Sequence, residues 1–598
     1  MVLGVQMRIL FDSKKAAHKA PFGCLVPGQA CTLHIHIPCS VRTSAVRAVM
    51  ENEDGSVFSE FAFVRQEIRG DYDIWRCDFS LERTGLFFYW FRITGHTGTF
   101  RLFKYGDDTN MEDGGKWQLS CVPDCPVPEW AKGAIIYQVF PDRFARTGLC
   151  DLRGKIQPYI LHEHWDEEVI WQPDEQGRVL NNDFYGGNFR GITEKLPYIA
   201  GLGAEILYLN PVCMAFSSHR YDTADYMRPD PMLGTQEDFA QLCEKAHDLG
   251  IRVVLDGVFS HTGSVSRYFD KDGSFGGGAY SNPDSPYRSW YKFYQYPHNY
   301  KSWWGFDTLP EINKDDPGFA AHIREVLTYW MGLGADGFRL DVADELPDSF
   351  IKMMKDHIRT IRPDALLMGE VWEDASNKIA YSFRRRYFVD GELDSVMNYP
   401  FRTAILDFLW GRDGGERLKD TVMTVLENYP RDVALCNMNL LGSHDTPRIL
   451  TALADEFDGH REALAARRLT PEQLEFGKKR LYLAAVLQYA LPGCPSIYYG
   501  DEAGMEGGKD PFNRRTYPWG KEDAALVSRF RILGSVRKTS PALRWGDTEF
   551  FYAGGGRLGI TRRHSEQQID IYINAGCTPW LLDSGEAVAP MDWRMEGK

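Results

Sequence analysis

Arg339 and Asp341 stand two positions apart in the apolar run "GFRLDVADEL", Gly337 to Leu346. In an extended strand, residues i and i+2 point to the same side, so this run presents a guanidinium and a carboxylate together at a strand end. Alone, such a pair reads as a structural ion pair. Its company changes that reading. Asp256 ends the strand-like run "IRVVLDGVF" and His261 follows it; Glu370 ends "ALLMGEVW"; His444 and Asp445 end "NMNLLGSHD". Independent structural ion pairs would not need to cluster at four strand ends. Three carboxylates without a metal-ligand motif suit glycoside hydrolysis, with one acting as nucleophile and one as general acid. The acid needs a raised pKa, which neighbouring negative charge and burial supply. The nucleophile must stay ionised, and Arg339 is expected to hold Asp341 charged and oriented.

The elements that must position these groups can be read from the apolar pattern. "AIIYQVF", "EILYLNP", "IRVVLDGVF", "GFRLDV", "ALLMGEVW", "SVMNYP", "NMNLLGSHD" and "SIYYGDE" read as strands. Helical stretches such as "QEDFAQLCEKAHDLG" and "FAAHIREVLTYWMGLG" lie between several of them. Continuous apolar strands imply burial on both faces, as in a parallel sheet. The pattern predicts an α/β fold, a (β/α)8 TIM barrel over 128–544, whose strands deliver an active site at their C-terminal ends. An insertion over 262–312, rich in Tyr, Trp, Gly and Pro, is too long for a plain connection. Residues 1–127 carry short aromatic and β-branched runs, "TLHIHIP", "DIWRCDFSL" and "LFFYWFRI", which predict an immunoglobulin-like β-sandwich. Pro-rich "CVPDCPVPEW" reads as the linker, and 545–598 as a C-terminal β-domain.

The net charge of -15 over 598 residues argues against nucleic acid and anionic membranes as partners. No run of about 20 apolar residues is present to span a membrane. The first residues lack a signal-peptide pattern, so a cytoplasmic protein is expected. The 12 cysteines are scattered; Cys121 and Cys125, the closest pair, have no matching second pair, which speaks against zinc and for free thiols in a reducing compartment.

Taken in order, "DGVFSH", "GFRLDVADE", "GEVW" and "GSHD" resemble the strand-end motifs of the α-amylase family of glycoside hydrolases. "SSHRYDTADY", "MNLLGSHDTPRIL" and "IYYGDEAGM" bring the chain closest to the neopullulanase, cyclomaltodextrinase and maltogenic amylase group. The resemblance runs from about Gly133 to Ser540. It implies a retaining hydrolase of α-1,4, and also α-1,6, glucosidic bonds in α-glucan oligosaccharides, pullulan or cyclodextrins. Asp341 takes the place of the nucleophile, Glu370 of the acid/base, and Asp445 of the third carboxylate. His261, Arg339 and His444 match residues around the cleaved sugar, and Tyr221 matches the stacking platform. Asp510 and Arg514 resemble the pair closing the non-reducing side, and Trp372 an acceptor-side stacking residue. Asp256 reads as structural. The group also implies a homodimer through the N-terminal domain.

Departures from the pattern touch substrate preference: Ser260 replaces an Asn, Asp344-Glu345 replaces "NE", and Glu311 in "LPEIN" stands where a lysine is usual. Many relatives hold calcium. Here "FPDRFARTGLCDLRGK" offers Asp142 and Asp151 among Arg143, Arg146, Arg153 and Lys155, while Asn188 replaces an expected Asp. No metal and no cofactor are therefore expected; the rival is a rebuilt site at Asn181, Asn182 and Asp183. Alternative readings are an oligosaccharide α-1,6-glucosidase, a transglycosylase, or a non-catalytic starch-binding subunit. The last would use Trp75, Phe87, Phe88, Tyr89 and Trp90 as a sugar-binding face; retention of all three carboxylates disfavours it.

Overall fold

The structure, a computed structural model, describes residues 7–106, 108–111, 114–124 and 126–597. Cys125, and with it the Cys121/Cys125 pairing, lies outside the described residues. Eight strands form one parallel sheet: β1 (Ile136–Val139), β2 (Ile206–Leu209), β3 (Arg252–Gly257), β4 (Gly337–Leu340), β5 (Leu366–Gly369), β6 (Ser395–Val396), β7 (Met438–Leu440) and β8 (Cys494–Tyr498). They are ordered β6-β5-β4-β3-β2-β1-β8-β7. A parallel bridge from Met397 to Met438 joins the two edges, so the sheet curls into a nearly closed barrel. Apart from Arg252 at the start of β3, every residue of these strands is buried, as two-sided covering by helices requires. Asp336, before β4, ties the barrel's lower end together. Its buried carboxylate accepts from Val253 N at 2.8 Å, Arg252 Nη1 at 3.0 Å and His247 Nε2 at 2.7 Å.

Helix starts are set by local chemistry. Thr235 and Asp238 form a capping box before Gln236–Asp248, as Thr470 and Gln473 do before Pro471–Ala490. Asn188 caps Phe189–Gly201 by accepting from Gly191 N. One crossover departs from the alternation read in the sequence. Among the described residues, the β5–β6 connection carries no helix, only the short strands Ile379–Ala380 and Phe383–Arg384. The insertion folds on itself around the hairpin Phe293–Gln295/Asn299–Tyr300.

Two compact units divide the chain. The first joins 1–126 with 374–392 and 419–434; the second holds the barrel and the C-terminal residues. Within the first, two antiparallel sheets pack as a sandwich. One is ordered Lys19–Ala20, Ala30–Pro38, Tyr72–Ser80, Val64–Arg69; the other is built around Ala45–Glu51 and Gly85–Gly95. Phe87, Tyr89 and Phe91 are fully buried, and Trp75 and Trp90 nearly so. Phe11 meets Phe91 at 4.7 Å and Trp117 at 5.1 Å between ring centres. Each such ring contributes roughly 1.5–3 kcal/mol by burial, so Trp75, Phe87, Tyr89 and Phe91 are core and not a sugar-binding face; Trp90, on the other strand face, donates to Glu51 under Arg101, and half-buried Phe88 lies under Arg384. The two later segments dock by specific bonds. Gln118 Nε2 donates to Ser376 Oγ at 3.0 Å, Arg386 Nη1 pairs with Glu53 at 2.8 Å, and Cys24 Sγ donates to Asn428 O at 3.2 Å. The barrel-containing unit ends in a four-stranded antiparallel sheet from Asp547–Gly554 to Asp592–Gly597.

Candidate active site

Arg339 projects from β4 and is wholly buried. Its Nη1 donates to Asp256 Oδ1 at 2.7 Å and to Asp341 Oδ1 at 2.9 Å, and its Nη2 lies 2.8 Å from Glu370 Oε2. One guanidinium thus gathers three carboxylates from the ends of β3, β4 and β5. This is why the pairing of Arg339 with Asp341 alone understates the site. Because the cation is shared, it does not hold Asp341 at an ordinary carboxylate pKa. Burial pushes that carboxyl well up against the pull of Arg339, and Glu370, Asp256 and Asp445 add to the rise. Asp256 is raised too, chiefly by burial. Asp445 is pushed up to about 7, first by burial and then by the charge of Glu370, with Arg514 and Arg339 opposing. Asp256, Asp341 and Asp445 lie close enough for their titrations to be linked, while Arg339 keeps Asp341 oriented at 2.9 Å.

Backbone geometry places the acids. Val342 follows Asp341 with φ 39 and ψ 58, a left-handed conformation rare for a β-branched residue. The turn aims Val342 N at Glu370 Oε2, 2.8 Å away. Trp372 Nε1 donates to Glu370 Oε1 at 3.0 Å, so both oxygens of Glu370 accept from fixed donors. Trp372 itself is 47% exposed and stacks on Tyr399 at 4.1 Å and 10°.

The opposite rim centres on His444. Gln138 Nε2 and Asn210 Nδ2 donate to its Nδ1 at 3.0 and 3.1 Å. The ring proton therefore sits on Nε2, which faces Tyr221 Oη at 2.5 Å and Asp445 Oδ2 at 3.2 Å. Burial, then Arg514 and Arg339, holds this imidazole neutral, far below its usual pKa. Tyr221 lies parallel to His444, 5.2 Å between ring centres and 8° apart, and donates to Asp256 Oδ2 at 2.7 Å; Tyr208 does the same at 2.7 Å. Arg514 donates to His444 O at 3.0 Å, pairs with Asp510 at 2.9 Å, and stands 3.8 Å from Asp445. His261 shares a 2.8 Å bond with Ser260 Oγ through Nδ1, while its buried Nε2 makes no well-aligned hydrogen bond among the described residues.

The structure thus brings Asp341, Glu370, Asp445, Arg339, Tyr221, His444, Asp510 and Arg514 into one connected network, with Trp372 on Glu370. His261 sits on the loop after β3, against Trp303. Sequence reading missed Gln138, Asn210 and Tyr208, and the signal was present: each is a polar atom inside an apolar strand run, where burial demands a partner. Glu311, at the position where lysine is usual, pairs with Lys301 at 2.6 Å and Lys314 at 3.0 Å. The two lysines neutralise the carboxylate that stands there.

The calcium stretch is occupied by the protein's own cations. Asp142 accepts from Arg143 Nε at 2.7 Å and from Tyr185 N and Gly186 N at 3.1 Å each. Asp183 faces Arg143 and His162, and Asp151 pairs with Arg153. A side chain at Gly187 would lie 2.3 Å from Pro141 O, so this loop closes tightly on Asp142. Among the described residues, no group of three or more His, Cys, Asp or Glu could hold a metal ion. With Asp142 and Asp183 engaged by Arg143 and His162, these carboxylates do not fit calcium, which takes six to eight oxygen ligands.

Comparison with known proteins adds an independent line. Residues 138–533 match the family model for the alpha-amylase catalytic domain. An amylopullulanase of Thermoanaerobacter thermohydrosulfuricus is 34% identical over 92% of this chain, which spans only 40% of that protein's length. A cyclomaltodextrinase of Geobacillus thermopakistaniensis is 33% identical over 78% of this chain and 72% of its own. The solved type III pullulan hydrolase from Thermococcus kodakarensis superposes with a TM-score of 0.68 at 25% identity, covering 98% of this chain and 99% of its own.

Proposed function

Because the chain belongs to the α-amylase family of glycoside hydrolases, we propose that it cleaves α-1,4-glucosidic bonds, and α-1,6 bonds as a second target, with retention of configuration. The single observation that carries this reading is Arg339 holding Asp256, Asp341 and Glu370 at 2.7–2.9 Å from three adjacent strands. Asp341 attacks the anomeric carbon, Glu370 protonates the leaving oxygen and later activates water, and Asp445 grips sugar hydroxyls. The buried Nε2 of His261 is a donor for the same sugar, while His444 orients Tyr221 and Asp445 through its Nε2. The names of the relatives, amylopullulanase and cyclomaltodextrinase, support pullulan and cyclodextrins as substrates, and short maltodextrins are proposed beside them. Proton NMR of the first product from maltohexaose is expected to show the α-anomer; initial release of the β-anomer would exclude double displacement.

We also propose that the enzyme needs no calcium, since Arg143 neutralises Asp142 and Asp183 from within. The melting temperature should change by less than about two degrees between excess chelator and millimolar calcium. A larger rise with calcium would mean that a bound ion stabilises the fold. A cytoplasmic site of action is proposed on the buried free thiols of Cys31, Cys77, Cys121, Cys243 and Cys494. A homodimer through the N-terminal sandwich is proposed on its uncovered edge strand, where Val64 and Ile68 are 65% and 59% exposed. Light scattering giving a fully active monomer would refute the dimer, and stable disulfides in the native protein would count against the compartment.

A further inference from the structure

Trp304, in the insertion after β3, combines three features that do not arise together by chance packing. It is 72% exposed. Its backbone is left-handed, at φ 48 and ψ 25, a conformation that a bulky side chain disfavours and glycine adopts freely. Its indole is nonetheless held in one place. The ring stacks on Trp303 at 5.0 Å and 14°, and Nε1 donates to Glu345 Oε1 at 2.8 Å.

The loop does not need this tryptophan for its own closure. Trp303 N donates to Leu309 O at 2.8 Å, Phe306 N to Trp303 O at 2.9 Å and Leu309 N to Phe306 O at 2.9 Å. Lys271 Nζ donates to Asp307 at 3.0 Å and Tyr300 Oη at 2.9 Å. Backbone strain kept at a residue this exposed, whose indole is fixed only by Trp303 and Glu345, points to a functional position. The neighbours say which function. Trp303 packs against the His261 ring at 5.1 Å, and Glu345 lies four residues after Asp341. An aromatic series thus leads from the sugar site to solvent and ends in an indole face beside a carboxylate. That combination fits a pyranose, whose C–H face stacks on the ring while a hydroxyl donates to the carboxylate.

We propose that Trp304 and Glu345 form an outer platform for a glucosyl unit beyond the pair at the scissile bond, setting the preference for longer α-glucan chains. This rests on the α-glucan reading of the site. The test uses Trp304→Gly and Trp304→Phe in the full chain. Trp304→Gly is expected to raise KM for maltohexaose about three- to tenfold, the worth of one aromatic contact, and KM for maltotriose less. Its melting temperature should hold or rise, because glycine suits the backbone. Trp304→Phe should keep most of the affinity. Calorimetry of maltohexaose on the Asp341→Asn background should show the same loss with Trp304→Gly. Unchanged KM and Kd in a protein that hydrolyses maltohexaose would overturn the platform alone. A fall in particle mass without a change in KM would make Trp304 a contact between copies, and would overturn it too. Absence of any α-glucan hydrolysis by the wild type would instead overturn the reading beneath it.

Discussion

Asp341→Asn is expected to lower turnover on maltohexaose by on the order of 10⁴–10⁶-fold, the scale seen when a covalent nucleophile is removed. That corresponds to about 5–8 kcal/mol of lost transition-state stabilisation. The variant should fold normally, since an amide oxygen can still accept from Arg339 Nη1, 2.9 Å away in the wild type. It should also be the more stable protein in mild alkali. In the wild type, burial and neighbouring carboxylates raise the pKa of Asp341 above its unfolded value. A carboxyl with a raised pKa binds its proton more tightly in the native state, so stability falls as pH rises through the interval between the two values. Asparagine removes that loss. A melting temperature at pH 8 below that of wild type, or activity within a hundredfold, would remove Asp341 from the role assigned to it.

Arg339→Met has the larger structural effect. Methionine replaces the buried stem but leaves Asp256, Asp341 and Glu370 without their shared cation. Removing one partner of a buried charge cluster costs about 3–5 kcal/mol. The deficit should grow with pH, because Asp256 and Asp341, whose pKa values burial raises, repel only once ionised. Thermal unfolding followed at pH 5, 6.5 and 8 reads this directly. An equal deficit at all three would show that Arg339 acts through packing and not through charge.

The strand ends were legible because barrel strands are short, apolar and bounded by the polar residues they deliver. Arg339 with Asp341, Glu370, and His444 with Asp445 each break an apolar run at its C-terminal end. Gln138 and Asn210 break theirs less visibly, within or just after the run, and their importance comes only from the imidazole they meet. The left-handed turn at Val342 has no sequence signature, since valine is among the least suited residues for it. The missing helix between β5 and β6 goes with distant partners: within 374–392, Ser376 accepts from Gln118 and Arg386 donates to Glu53, more than 250 positions earlier in the chain. Local pattern cannot carry that information.

That discontinuity has a consequence for biosynthesis. The N-terminal sandwich leaves the ribosome first, yet the unit it belongs to is completed only when Ala434 has emerged. The wait is roughly 300 residues, on the order of 15–60 s at 5–20 residues per second. During that interval Gln118, Glu53 and Cys24 lack the partners they hold in the finished molecule. β1 to β6 are made inside the same window. The hydrophobic core of the sandwich lies within residues 9–121 and can close early, so what waits is the docking of 374–392 and 419–434, and slowing translation between residues 126 and 434 would prolong the exposure of the groups that receive them.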